Sequence, residues 1–264
     1  MARYFISFRF HGANYHGWQL QHNALSVQET LNHCLSLVAK QTVNAIGCGR
    51  TDTGVHASYF VAHFDLEDEI KPNELDQFCF KLESLLPDDI GLIQLHQVNA
   101  DAHARFDAVK RSYAYHIMRR NNPFKKGLAW HCYGKLDLSV MKAAAAYVPG
   151  RKDFSCFSKS NTQVKTNICQ VETLDIEEDN ELIIIKISAD RFLRNMVRAI
   201  TGTLVETAQG KRKPEDMLKL IESKDRTKAG FSAPAEGLFL TEVIYPENIY
   251  IARNLFYNPY NQVQ

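Results

Sequence analysis

Asp52 lies between Arg50 and Gly54 in the run Gly47-Cys-Gly-Arg-Thr-Asp-Thr-Gly-Val-His-Ala57. Gly47, Gly49 and Gly54 open backbone angles closed to other residues, so the run can bend and push a side chain into a cleft. A carboxylate held that way has three uses. It can cap its own turn, as aspartate often does. It can share a proton with a second carboxylate and activate water. It can also act alone, as a nucleophile or a stabiliser of developing positive charge, if an arginine keeps it ionised.

The shared-proton use is that of aspartic proteases, whose short motif Asp52-Thr53-Gly54 spells. One copy of the motif would require a symmetric dimer to supply the second carboxylate. Gly49-Arg50-Thr51 is also polar, where such a site brings a buried apolar strand. The turn and lone-carboxylate readings therefore stand ahead of it.

Two further groups could do chemistry. On a helix expected from about Phe192 to Ala208, Leu193, Val197, Ile200 and Leu204 fall on one arc, with Arg191, Arg194 and Arg198 nearly opposite. Such a row of guanidiniums is a solvated face, a wall for phosphates, or a device that holds a carboxylate ionised. Tyr113 and Tyr115 share one face of a strand expected over residues 112–118, either as core or as stacking surface. No metal is expected. The six cysteines are scattered without a C-x-x-C pair, and the ten histidines include no H-E-x-x-H. A disulfide framework is not expected either.

These side chains need elements to hold them. Residues 3–10 alternate like a strand. Ser26 and Glu29 form a capping box for a helix carrying Leu31, Cys34, Leu35 and Val38. A short strand over 43–48 should enter the glycine run, and 58–64 should leave it. Pro72 should open a helix through Leu75, Phe78, Leu82 and Leu85, followed by a strand over 90–98. The second half echoes this order: a strand over 112–118, a helix over 139–148, and strands over 168–176 and 181–189 joined by a turn at 177–180. The helix ending at Ala208, closed by Gly210, comes next, then a short helix opened by Pro214 and a strand over 237–244. The pattern implies an α+β fold of two related halves, 1–104 and 105–264, each with a mostly antiparallel sheet covered by helices.

The 264 residues are ample for a core, and 45% hydrophobic with 23% charged is ordinary for a globular protein. No apolar run approaches the roughly 20 residues of a membrane span, and the N-terminus lacks a signal-peptide pattern, so a cytoplasmic location is expected. The net charge is only +1, but positive charge gathers locally. Arg105, Lys110, Arg111, Arg119, Arg120, Lys125 and Lys126 face one acid, Asp107, in their stretch. Arg191, Arg194, Arg198, Lys211, Arg212 and Lys213 face Glu206. Clusters of that kind can form an electrostatic footprint for phosphates.

Five ordered blocks carry a resemblance. Gly49-Arg-Thr-Asp-Thr-Gly-Val-His-Ala57 resembles the signature of the tRNA pseudouridine synthase A family. Gly12-Ala-Asn-Tyr-His-Gly-Trp-Gln19 resembles its N-terminal G-x-x-Y-x-G-W-Q stretch, and Arg105-Phe106 followed by Lys110-Arg-Ser-Tyr-Ala-Tyr115 its R-F and tyrosine-strand segment. Phe192-Leu-Arg-Asn-Met-Val-Arg198 is similar to its F-x-x-x-M-V-R helix, and Ala229-Gly-Phe-Ser-Ala-Pro-Ala-Glu-Gly-Leu238 to its C-terminal loop. His11, Thr53 and Ala199 depart from the family's usual residues without touching the chemical ones.

The resemblance implies two ferredoxin-like halves around a central basic cleft, a homodimer, and a tRNA substrate isomerised from uridine to pseudouridine at positions 38 to 40 of the anticodon stem-loop. It implies no cofactor and no metal. Asp52 becomes the catalytic carboxylate, with attack on the sugar, addition to the base and removal of a ribose proton all open to it. Arg198 would pair with Asp52, and Tyr113 would stack on the uracil and could take its proton. Arg50 would fill the gap left by the flipped base. Arg105, Arg119, Arg120, Arg191 and Arg194 would hold the RNA. A structured-RNA-binding protein of the same fold without catalysis is the alternative.

Overall fold

The computed structural model describes residues 1–159, 166–179 and 181–251. It is a mixed α/β structure whose strands pair mostly antiparallel, with five α-helices among the described residues. Its contacts divide into two compact units. One comprises Met1–Val109 and the described chain from Thr241 onward; the other is Lys110–Leu240.

In the first unit, strand β1 (Ala2–Phe10) leads to helix α1 (Val27–Ala39), β2 (Ile46–Gly47), β3 (His56–Leu66), α2 (Leu75–Leu85) and β4 (Ile90–Val98). Strands β4, β1 and β3 lie side by side in that order, and the two-residue β2 pairs with β3 off that path, all antiparallel. Ser26 caps α1 as its spacing predicts, accepting a hydrogen bond from the Glu29 amide, and Lys40 ends the helix in the left-handed region at φ 55°. The turn at Pro72 is tighter than expected: Pro72–Glu74 is a 3₁₀ turn and the α-helix starts at Leu75. The strand expected over 43–48 shrinks to two residues.

Tyr4, Phe5, Ile6, Ser7 and Phe8 are all buried, so both faces of β1 are covered. Part of that cover is the returning C-terminal segment, where the Tyr245 ring meets Phe5 edge-on at 4.9 Å. The Tyr245 hydroxyl donates to Ala104 O (2.6 Å), Val109 N–H to Ile244 O (2.8 Å) and Asn99 N–H to Ile249 O (2.9 Å).

The second unit runs β5 (Lys110–Met118), β6 (Trp130–His131), α3 (Leu138–Ala145), β7 (Gly150–Asp153), β8 (Ile168–Asp179), β9 (Leu182–Ala189), α4 (Met196–Ala208) and α5 (Asp216–Ser223). Its strand order is β5-β9-β8-β7, antiparallel throughout, with β6 pairing parallel to β5. The chain passes from this unit into the other along β10 (Leu238–Ile244). Residues 177–179 extend β8 instead of forming the expected turn, whose last residue, Asn180, lies outside the described residues. Helix α3 stops at Ala145, three residues short of expectation.

Candidate active site

The glycine run folds as its composition requires. Cys48 N–H donates to Val61 O (2.8 Å), which continues the β2–β3 pairing, and the chain then leaves the sheet. Val55 N–H donates to Asp52 O (3.1 Å), closing a tight turn over Thr53 and Gly54, with Gly54 at φ 78°. Asp52 is half-buried at the start of this turn, and Arg50 is exposed.

The N-terminal loop grips the turn from outside. A Cβ on Gly12 would stand 2.0 Å from Val55 O, and one on Gly17, which sits at φ 85°, would stand 2.2 Å from Thr51 O. Only glycine admits that approach. Gly54 N–H donates to Tyr15 O (3.3 Å), and Gly12 N–H to Nδ1 of the buried His56 (2.9 Å). Tyr15 is itself anchored, its hydroxyl donating to Asp89 Oδ1 at 2.5 Å. Burial, with that bond to Asp89 second, pushes the Tyr15 phenol well above its ordinary value. Trp18 packs on Phe60, ring centroids 4.7 Å apart, and against Gly47, where a Cβ would stand 2.7 Å from the indole. The stretch from Gly12 to Trp18 is thus the backing plate of the Asp52 loop.

In the second unit, Tyr113 lies on β5 opposite Ile187. It is half-buried, and its ring meets Phe192 edge-on at 5.0 Å and 87°. Tyr115, two residues on, is fully buried and donates its hydroxyl to Pro234 O (2.7 Å). Burial raises its phenol far above the usual value, so this group stays protonated. Arg198 Nε donates to the adjacent carbonyl, Ala233 O, at 2.7 Å, and Ala233 N–H returns a bond to Arg198 O (3.0 Å). Successive carbonyls of the 229–238 loop therefore fix both the tyrosine strand and the arginine helix. Glycines again allow the approach. A Cβ on Gly202 would stand 1.9 Å from Phe231 O, and one on Gly237 would stand 2.7 Å from His116 O.

The arginine row needs correction. Helix α4 starts at Met196, so Arg191 and Arg194 precede it and do not share a helical face with Arg198. Asn195 takes the left-handed conformation at φ 67°, with its amide donating to Ser232 Oγ (2.6 Å). In a helix from 192, Arg194 O would accept from Arg198 N–H; instead it accepts from Lys159 N–H (3.0 Å). Arg191 is half-buried and Arg194 exposed.

The basic clusters are also less bare than their own stretches suggest. Strand β8 supplies acids from a distant part of the sequence: Arg119 pairs with Glu178 (2.9 Å) and Lys110 reaches Glu172 (4.0 Å). Arg212 pairs with Glu206 (2.8 Å). Arg120 is exposed. Arg105, in the first unit, holds its guanidinium 5.6 Å from the centre of the neighbouring Phe106 ring.

Sequence reasoning missed the working residues that lack chemistry of their own, namely Gly12, Gly17, Gly202, Gly237 and Asn195. Gly12, Gly17 and Gly237 were signalled only as glycines inside motif blocks, Asn195 only as a member of the 192–198 block, and Gly202 by nothing. No group of three or more potential metal ligands gathers among the described residues, and no described helix is long and apolar enough to cross a membrane.

Residues 143–246 match the profile of a family described as tRNA pseudouridine synthase, which sets the class. Relatives called tRNA pseudouridine synthase A extend the likeness across the chain. The protein from Bacteroides thetaiotaomicron is 48% identical over 95% of this chain and 93% of its own. That from Bacteroides fragilis is 46% identical over 95% and 99%, and that from a Thermoanaerobacter species 42% over 93% and 100%. The chain belongs to the tRNA pseudouridine synthase A family.

Proposed function

We propose that this protein isomerises uridine to pseudouridine in tRNA, at positions 38 to 40 of the anticodon stem-loop, with Asp52 as its catalytic carboxylate. The supporting observation is the Asp52 turn, braced through the backbone by Gly12 and Gly17 so that a half-buried carboxylate sits on a rigid support. The same reading includes a homodimer in the cytoplasm, a basic cleft and ferredoxin-like halves. The antiparallel β4-β1-β3 core of the first unit, with β2 pairing β3, supports the last of these.

The target base is stacked in RNA and must be flipped out, at a cost of a few kcal/mol. Arg50 takes its place in the stack, while Arg105, Arg119, Arg120, Arg191 and Arg194 hold the backbone. The bond from uracil N1 to the ribose C1′ breaks, the ring turns, and C5 bonds to C1′. The C5 proton leaves and N1 gains one, so atoms balance without a donor or an electron carrier. Bond cleavage develops positive charge on the ribose, as in glycoside hydrolysis, and an ionised Asp52 stabilises or captures it. In this reading Arg198 is the cation that pairs with the Asp52 carboxylate. Tyr113 stacks on the uracil and accepts the C5 proton.

Asp52→Asn keeps the size and removes the charge. It should abolish pseudouridine formation while leaving tRNA affinity within about twofold, since this carboxylate is not one of the cations that hold phosphates. Turnover retained in this variant would remove Asp52 from the mechanism.

A further inference from the structure

We propose that Phe124 is a stacking platform for an unpaired base of the RNA substrate, apart from the uridine that reacts; this rests on the tRNA reading above. Phe124 is 89% exposed, the most of any large hydrophobic residue described. Leaving a phenylalanine in water forgoes much of the stabilisation its burial gives.

The ring does not hang on a slack loop. Pro123 opens a 3₁₀ turn, and the Asn122 side chain accepts from Phe124 N–H (3.0 Å). Lys125 N–H donates to Asn122 O and Leu128 N–H to Lys125 O, both at 3.0 Å. The Asn122 amide is tied to Glu181 Oε2 (2.5 Å), and Gly127 at φ 75° completes the bend. The backbone that carries the ring is thus ordered in folding, which lowers the cost of presenting it to a ligand.

Its neighbours indicate the occupant. Arg120, Lys125 and Lys126 flank Phe124, and no described carboxylate pairs with any of them; Arg119 alone of the group is held by an acid. Protein interfaces are depleted in lysine. A bare aromatic ring among unpaired cations matches a nucleic-acid strand, whose phosphates meet the cations while a base meets the ring. Bases inside a duplex are already stacked, so the base that Phe124 takes is in a loop, bulge or end. Phe124 therefore contributes to affinity and not to the chemical step.

The test measures binding of an unmodified tRNA transcript across a salt series for wild type, Phe124→Ala, Phe124→Leu, Phe124→Trp and the Lys125→Gln/Lys126→Gln double variant. Single-turnover rates at saturating enzyme are measured alongside. Phe124→Ala should weaken binding about 5- to 100-fold at every salt concentration with the salt slope unchanged, because stacking releases no counterions. Phe124→Trp should restore binding and Phe124→Leu should not, and the saturated rate should stay at wild type for all three. The lysine variant should lower the salt slope by about one to two. Wild-type affinity in Phe124→Ala, or full rescue by leucine, overturns the proposal. A change in sedimentation of Phe124→Ala overturns it too, by placing the ring between copies of the chain. Turnover by the wild type separates the outcomes: if it is present while Phe124→Ala binds normally, the stacking proposal alone fails.

Discussion

Tyr113 and Tyr115 stand two residues apart on one face of β5, yet their surroundings differ. Tyr115 is buried with its hydroxyl committed to Pro234 O, which rules it out as a proton acceptor in turnover. Tyr113 is half-buried and packs its ring edge-on to Phe192. Tyr113→Phe should therefore keep tRNA affinity and lose turnover about 100-fold or more, the range of general base catalysis; wild-type turnover would show that the hydroxyl takes no proton. His63 offers a test of stability. Burial, then the nearby His103 and Arg3, push its imidazole down to about 4, and its Nδ1 accepts from Ala104 N–H (3.1 Å). The unfolded chain binds this proton near pH 6.5. The stability given by neutral His63 is thus complete above about 6.5 and is lost as pH falls toward 4. Thermal melts should show a falling midpoint over that window, and His63→Gln should flatten the fall. At this scale the sequence exposed Asp52, because aspartate among glycines is visible as a string. Alternation alone did not distinguish the two tyrosines, since it gives a face and not what covers it; only the family resemblance singled out Tyr113.

Among the elements, backbone contact between distant loops does most of the positioning. Gly17→Ala would put a Cβ 2.2 Å from Thr51 O at a φ of 85°. The Asp52 turn must then shift, and a shift of about 1 Å is enough to cost roughly 100-fold in rate. The expected result is a large fall in kcat with tRNA affinity largely kept, read by single-turnover kinetics beside binding. Gly202→Ala would meet Phe231 O at 1.9 Å, in the contact that docks the 229–238 loop on α4. It should destabilise the protein by roughly 2–3 kcal/mol, as overpacking does, in denaturant unfolding. Most strands and helices were legible from periodicity and caps. The start of α4 was not, because apolar spacing through Leu193 and Val197 is helical whether or not the backbone is. What ends the helix at Met196 is Asn195 bonding Ser232, a partner 37 positions away.

At the scale of the molecule, the chain's return to its first unit is the feature hardest to read from the sequence. Residues from Thr241 cover Phe5 and bond Ala104, Asn99 and Val109. A variant ending at Leu240 should leave the first unit open to limited proteolysis while the second unit resists; equal resistance in both would contradict that dependence. Charge shows the same limit. Stretches that look bare of acid draw Glu172 and Glu178 from β8, so local charge counts overstate the free positive surface. The measurement closest to the central claim is made on the whole protein with an unmodified tRNA transcript, without metal or added cofactor, followed by mapping of pseudouridine along the RNA. Pseudouridine is expected at positions 38 to 40 wherever uridine stands there. A transcript that is bound but returned with its uridines intact would contradict it.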